Sequence, residues 1–321
     1  MKAQRRLLPG PVALAVVAAS HCTAGPFQYI NGDLLACFRT EGGATDLVVN
    51  LGPATRLENL PWGTQVTLSD VTAHRLAAAL PSLDNARWAV LGALRGNTNY
   101  PQYPLQTLWV TSPAPGPGMT GPAWTRRGPF TQGTTASQIE AIGQGALAYA
   151  SQIPAGINNT NTAILIPSQD PAAYSTLTTT EGNLAGTFQG TVENVTPEPF
   201  DSVPSTAVLY RLVPGSGTVL NTPGDLLGIL EFTPEGTLSF TAGPPRPRIE
   251  SITRTADVTT LVFPTIAGFR YRFRSTGLGG LSTPVAAWIP STDVVDGTGA
   301  PQMLQHPTTT DTQLYLLEIV P

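Results

Sequence analysis

The chain has almost no lysine, few charged residues and very little cysteine. Lys2 is the only lysine, and charged residues make up 12% of the 321 residues, about half the usual fraction of roughly 25%. A chain without lysine after residue 2 has no Schiff-base lysine and no phosphate-loop lysine. The 32 glycines and 31 prolines argue against a coiled coil or a helical bundle. What remains is a turn-rich, mainly β globular protein.

The first 24 residues have the layout of an export signal. Lys2 and Arg5 give a basic start, an apolar run over 7–19 follows, and small residues precede a cleavage site before Gly25. The apolar run is too short to span a bilayer, and no later stretch is long enough to do so. The sequence therefore predicts a signal peptide over 1–24 and a secreted protein without a membrane span.

Removal of the signal leaves an acidic chain with one cysteine. The remainder has 14 arginines against 21 acidic residues, and this balance repels nucleic acid. Cys37, alone in an apolar strand, is expected to be buried rather than reactive. Lipid attachment at Cys22 is the alternative to general secretion, although His21 stands where a lipoprotein has a small residue. The predicted location is extracellular or on the surface of a bacterium.

Turn signals and apolar runs predict a β-rich N-terminal domain over 25–243 with two helices. Asn31-Gly32 is a strong turn signal before a hairpin, and spacings of three and four predict the longer helix. The expected strands are 33–39, 46–51, 87–94, 107–111, 207–213, 226–232 and 237–241, and the expected helices are 69–80 and 134–153. The last three strands form a meander.

A proline-rich linker over 244–248 separates this domain from a second one. Residues 249–321 contain strand candidates at 249–253, 258–263, 269–274 and 313–319. The segment 269–274 (FRYRFR) alternates between aromatic residues and arginine, as a strand with one face in the core does. Short strands separated by turns predict a small immunoglobulin-like β-sandwich. The fold class is thus mainly β, with a β-rich α+β domain followed by a sandwich.

Several segments are similar to a family of exported bacterial proteins. These segments are 31–35 (NGDLL), 38–39 (FR), 46–52 (DLVVNLG), 209–217 (LYRLVPGSG) and 236–240 (GTLSF). Together they resemble the β-rich exported proteins of Verrucomicrobia and related bacteria, many of which carry a C-terminal PEP-CTERM sorting tail. The matching motifs are turns and strands without reactive groups, so the resemblance implies an exported surface or matrix protein and no particular chemistry.

The resemblance covers residues 25–242. Residues 314–321 lack the closing apolar span and basic end of a PEP-CTERM tail, so sorting through such a tail is not expected. Residues 247–321 instead resemble the small β-sandwich modules that are appended to many secreted proteins of these bacteria.

The sequence contains no motif for catalysis or for metal binding. Its three histidines are dispersed, and it has no paired cysteine or histidine motif for zinc and no G-x-S-x-G elbow. Paired carboxylates of a glycoside hydrolase are a minor alternative, with candidates at Asp33, Asp46, Glu140, Glu193 and Glu198. The acidic turns with Asp225, Asp293 and Asp296 do not match an EF-hand loop. No catalytic residue, metal or cofactor is therefore expected.

Two surface features are candidates for binding. Loop aromatics offer flat faces for sugar rings, with Tyr100, Tyr103 and Trp124 as the candidate residues and Trp62 as a further member of that set. The stripe Arg270, Arg272 and Arg274 on one strand face is a candidate for an acidic polysaccharide or for acids of a neighbouring subunit.

The leading hypothesis is a non-enzymatic structural or adhesive protein, with self-association through β-strand edges as a variant. The alternative is an extracellular carbohydrate-binding protein. Its expected partners are therefore a second copy of the chain or a surface polysaccharide.

Overall fold

The computed structural model describes residues 25–80, 82–83, 86–96, 100–114, 123–186, 190–195, 204–244, 247–266, 269–307 and 313–320. The predicted signal peptide, with Cys22, and residues 245–246 of the predicted linker lie outside these ranges.

In the described part of the chain, ten strands form one antiparallel sheet in the order β3-β10-β9-β8-β5-β4-β1-β2-β6, with β7 beside β4. The strands are β1 (Asp33–Thr40), β2 (Thr45–Pro53), β3 (Gln65–Thr67), β4 (Ala86–Leu94), β5 (Thr107–Pro113), β6 (Ala163–Pro167), β7 (Asn194–Val195), β8 (Ser205–Leu212), β9 (Asp225–Phe232) and β10 (Leu238–Ala242). The predicted hairpin is β1–β2, and the predicted meander is β8–β9–β10.

The α-helices among the described residues are α1 (Thr55–Glu58), α2 (Ala73–Ala79), α3 (Pro129–Ala150) and α4 (Tyr174–Leu177). Both predicted helices are present, whereas the two four-residue helices were not expected. In the described part of the chain, no helix is long and apolar enough to cross a membrane.

The two longer helices begin at other residues than the sequence predicted. Helix α3 begins five residues before Thr134, at Pro129 after Gly128, because proline fits the first helical position without losing a needed N–H bond. Helix α2 is capped by the Thr72 side chain, which accepts a hydrogen bond from the Arg75 amide, rather than by Ser69 or Asp70.

The central strands of the large sheet are buried on both faces. In β1, Leu35 and Cys37 pack on the side covered by α3, with Ile139 and Ile142 of that helix. Leu34 and Phe38 pack on the opposite side in a second core. A strand covered on both faces needs apolar side chains at successive positions, which explains the uninterrupted apolar run of β1.

The second core forms because the sheet curls. The ring centroids of Phe38 in β1 and Phe232 in β9 lie 5.5 Å apart, although β4, β5 and β8 separate these strands in the sheet. Four strand spacings across a flat sheet would be about 19 Å. The sheet therefore wraps around its own side chains on the face opposite α3.

The C-terminal strands form two further sheets that pack as a β-sandwich. One sheet is β11-β12-β16, and the other has β13 at its centre, paired with β14, β15 and β17. The strands are β11 (Ser251–Thr255), β12 (Val258–Phe263), β13 (Arg270–Gly277), β14 (Ile289–Pro290), β15 (Val295–Asp296), β16 (Gln302–Pro307) and β17 (Gln313–Val320). Immunoglobulin-type sandwiches likewise consist of two antiparallel sheets packed face to face.

The core of the sandwich confirms the alternation expected in β13. Tyr271 and Phe273 are both 1% exposed and pack with Leu261 and Leu317 from the two sheets. The arginines between them project from the opposite face of β13. The molecule is thus mainly β, and the α-helices among its described residues lie in the larger part.

Candidate functional site

Tyr100, the first of the predicted sugar-stacking aromatics, belongs to the core. Its side chain is 5% exposed, and its hydroxyl donates a hydrogen bond of 3.1 Å to the Gly32 carbonyl. Its ring packs beside Trp109, with 6.0 Å between the centroids. The flat face of Tyr100 is therefore occupied by the protein itself.

The other two predicted aromatics are half-buried on opposite sides of the large sheet. Tyr103 packs against the second core, and the Arg211 guanidinium lies 4.9 Å from the centre of its ring. Trp124 packs on the side of α3, where its indole N–H donates to the Thr111 carbonyl at 2.7 Å. Tyr100, Tyr103 and Trp124 consequently do not share one exposed face.

The carboxylates considered for hydrolysis are engaged by other groups. Asp33 accepts from the Asn50 amide and Asp46 from the Ser175 hydroxyl. Glu140 is paired with Arg95, and Glu193 with Arg39. Glu198, the fifth candidate, lies outside the described residues.

The three aspartates that were compared with an EF-hand calcium loop lie in different surroundings. Asp225 is paired with Arg126 and Arg211, so its charge is balanced by guanidinium groups. Asp293 is exposed between β14 and β15, and Asp296 belongs to β15. Within the ranges that the structure describes, no group of three or more possible metal ligands is present.

A cleft lies where the large sheet meets the sandwich. We call it the junction cleft. It has a volume of about 780 Å³ and is lined by Trp62, Phe269, Arg270, Asp296, Gly297, Ile319 and Val320. This volume is within the roughly 300–1,000 Å³ typical of small-molecule sites.

Trp62 forms the side of the junction cleft that belongs to the large sheet. It lies in the turn before β3, where the next amide, that of Gly63, donates to the Ala242 carbonyl at 2.8 Å. Its ring lies against Gly243, which has φ +85°, and a Cβ added there would be 2.9 Å from the Trp62 ring. A glycine is needed at this position by both the backbone and the close ring contact. Trp62 is nevertheless 69% exposed.

The β-sandwich forms the side of the junction cleft that lies opposite Trp62. The ring of Phe269 lies 6.3 Å from that of Trp62, centroid to centroid, and its carbonyl accepts from the Gly297 amide at 2.7 Å. Arg270 follows in β13 and is the register partner of Asp296 in β15 and of Val320 in β17. Register partners project from the same face of a sheet. The cleft thus combines aromatic and aliphatic surface with one guanidinium and one carboxylate.

Two arginines of the predicted stripe share one carboxylate partner within the chain. Arg272 and Arg274 donate to the two carboxylate oxygens of Glu318 at 2.5 Å and 2.9 Å. Partial burial alone would raise the pKa of Glu318, but the hydrogen bonds and charges of the two arginines outweigh burial and hold that pKa below its ordinary value. The stripe is therefore divided between the junction cleft and an internal ion-pair cluster.

We expect Glu318→Gln to lower the free energy of unfolding by about 1–2 kcal/mol at pH 7, because two charge-assisted bonds are lost. A depressed carboxyl pKa stabilises the fold above the unfolded-state value of about 4.3, and this contribution is lost as the pH falls through the folded-state pKa. Urea unfolding from pH 7 to pH 2 should therefore show the difference from wild type shrinking. The exposed Glu250→Gln serves as the control. A difference that stays constant with pH would contradict the assignment.

Comparison with known protein families, with curated proteins and with solved structures found no match to this chain. The resemblance to exported Verrucomicrobia proteins therefore stays a prediction from the quoted segments.

The polar and aromatic members of the junction cleft belong to separate patterns in the sequence. Trp62 is one of the loop aromatics, Phe269 and Arg270 start the alternating segment, and Asp296 lies in an acidic turn sequence. Trp62 and Arg270 are 208 positions apart in the numbering, and no local pattern joins them. The available signals were an aromatic residue in a Pro-Trp-Gly turn and the start of the alternation at Phe269.

Proposed function

We propose that this protein is a secreted, non-enzymatic adhesive protein of a bacterial surface, and that it binds saccharides in the junction cleft. The observation that carries the proposal is the exposed Trp62 ring facing Phe269, beside Arg270 and Asp296, around a cavity of about 780 Å³. Secretion is supported by the signal-like residues 1–24.

The lining of the cleft suits the chemistry of a sugar ring. A pyranose has flat C–H surfaces that pack on aromatic side chains and a rim of hydroxyl groups that need hydrogen-bond partners. Trp62 and Phe269 supply the aromatic surface, while Arg270 supplies donors and Asp296 supplies acceptors. A few polar groups placed within a mostly apolar site are the usual arrangement for small-molecule binding.

We expect Trp62→Ala to weaken saccharide binding at least tenfold, or about 1.4 kcal/mol. The substitution removes the main stacking surface, and it should leave the fold intact because Trp62 is 69% exposed. The measurement is isothermal titration calorimetry with the mature protein, after a panel of hexose, amino-sugar and uronate oligosaccharides has identified a ligand.

Phe130→Ala is the matched control, because Phe130 is 92% exposed and lies on α3, away from the cleft lining. It should bind as the wild type does. If the wild type binds no saccharide of the panel, or if Trp62→Ala binds as well as the wild type, the proposal is wrong.

Self-association through strand edges is the second candidate. Strand β11 favours it, since all five of its residues are exposed, Ile252 is 55% exposed, and β12 is its sheet partner in the described chain. An outer strand of this kind presents backbone groups to a further strand. Light scattering on the samples used for titration separates the two candidates, because ordered assemblies would favour this one.

A further inference from the structure

The junction cleft contains one positive and one negative side chain. Among its described lining residues, Arg270 is the cation and Asp296 is the carboxylate, and the others are aromatic, aliphatic or glycine. The formal charge of the lining is therefore zero. A site built for an anionic ligand would have a surplus of arginine or lysine.

Arg270 and Asp296 are directly opposite each other on paired strands. As register partners in β13 and β15, they have Cβ atoms about 4.5–5.5 Å apart on one face of the sheet. Any group that the guanidinium binds within the cleft thus lies close to the Asp296 carboxylate. A ligand carboxylate in this place meets a like charge, whereas a hydroxyl group does not.

A saccharide hydroxyl makes use of both side chains. It donates one hydrogen bond and accepts others, while a guanidinium offers five donors and an ionised carboxylate offers acceptors alone. Adjacent hydroxyls on one sugar ring can accept from Arg270 and donate to Asp296 at the same time. Hydrogen bonds to charged groups are the stronger kind, so this pairing favours an uncharged polyol.

The arginines farther along β13 do not restore a positive surface. Arg272 and Arg274 lie on the same face as Arg270, two and four positions away, and both donate to Glu318. Arg274 also donates to the Trp288 carbonyl at 3.1 Å. The positive charge next to the cleft is therefore largely committed to contacts within the chain.

We infer that the junction cleft selects neutral saccharides over uronate-containing ones, through paired contacts of Arg270 as donor and Asp296 as acceptor. This inference rests on the proposed function, since it names the ligand class of the same cleft. It also replaces the acidic polysaccharide, which the arginine stripe had suggested as a partner, by an uncharged one.

The test compares a neutral hexose tetrasaccharide with a uronate tetrasaccharide of equal length, by isothermal titration calorimetry on the mature full-length protein. The wild type should bind the neutral ligand at least tenfold more tightly. Asp296→Asn should weaken neutral binding at least threefold and strengthen uronate binding, because the repelling charge is gone. Arg270→Gln should weaken the binding of both ligands.

Asp293→Asn is the control, because it removes an exposed acid close in sequence but outside the lining of the cleft. It should leave both affinities unchanged. Circular dichroism confirms that each variant is folded, and Asp296→Asn decides the outcome if Arg270→Gln does not fold.

The outcomes separate this inference from the proposed function. If the wild type prefers the uronate ligand, or if Asp296→Asn leaves the ratio of the two affinities unchanged, the inference is wrong while saccharide binding stands. If neither ligand binds and Trp62→Ala has no effect on any ligand of the wider panel, both are wrong.

Discussion

Glu193→Leu is expected to lower the free energy of unfolding by about 3–5 kcal/mol. The Glu193 side chain is fully buried, and that of Arg39 is 6% exposed. The Arg39 guanidinium contacts both carboxylate oxygens of Glu193, at 2.7 Å and 2.8 Å. Removing the carboxylate leaves a buried cation whose remaining acceptors among the described residues are the Thr179 and Thr180 carbonyls.

The Arg39–Glu193 pair also holds the segment between α4 and β7 against the large sheet. Arg39 lies in β1, and Glu193 immediately precedes β7, which pairs with β4. The carbonyls that accept from Arg39 belong to the same segment, which runs from α4 to β7. Loss of the pair should therefore loosen this segment, and hydrogen exchange of its amides should increase along with the loss of stability.

The double variant Arg39→Met/Glu193→Leu tests whether the instability of Glu193→Leu comes from the unpaired charge of Arg39. Two apolar side chains remove both charges of the pair, and such replacements are often neutral or stabilising. We expect the double variant to be clearly more stable than Glu193→Leu alone, as measured by urea unfolding. Arg95→Gln is the control, because the Arg95 side chain is 54% exposed in its pair with Glu140, and the loss should stay below about 1 kcal/mol. A double variant less stable than the single one would refute this account.

Glu58→Ala should lower the free energy of unfolding by about 2–4 kcal/mol, since it leaves several donors without their acceptor. The Glu58 side chain is 5% exposed. It accepts from the Trp109 indole N–H at 2.6 Å, from the Tyr103 hydroxyl at 2.7 Å and from Arg211 at 3.4 Å. One carboxylate on the short helix α1 thereby holds the inner face of the curled sheet.

Glu58→Gln provides a graded comparison. Its remaining amide oxygen can accept from Trp109 or from Tyr103, but its amide nitrogen is itself a donor and cannot replace the second acceptor. Glu58→Gln should therefore lower the free energy of unfolding by less than Glu58→Ala does. Glu41→Gln is the matched control, because its side chain is 63% exposed, and it should change stability by less than about 0.5 kcal/mol. Equal effects at positions 41 and 58 would contradict the role of the buried network.

The network around Glu58 also explains why Tyr103 is not the exposed member of the aromatic set that the sequence suggested. The loop with Tyr100 and Tyr103 is polar and aromatic, as a saccharide-binding loop is. Tyr103, however, donates to Glu58 and lies beneath Arg211, so its polar tip and one ring face are already engaged. Of the four candidate aromatics, the one that remains exposed is Trp62, which lies in a turn with few other sequence signals.

Local patterns determined much of the secondary structure. The run 33–39, the turn signals between the last strands of the large sheet and the alternation over 269–274 predicted β1, the meander and β13 with small boundary errors. These features depend on side-chain periodicity and on backbone preferences within a few residues. A helix start without a capping side chain, as at Gly128, is the kind of boundary that such patterns miss.

Contacts between segments that are distant in sequence decided the tertiary packing and the burial of individual side chains. Phe38 meets Phe232, Arg39 meets Glu193 and Trp62 meets Phe269 because the sheet curls and the sandwich lies beside its edge. Burial of a loop aromatic or of an arginine depends on what long-range packing brings against it, and the residue itself carries no mark of that neighbour. The sequence by itself therefore determined a mainly β chain with these strands and helices. The tertiary structure alone decided which charges are buried and which residues line the junction cleft.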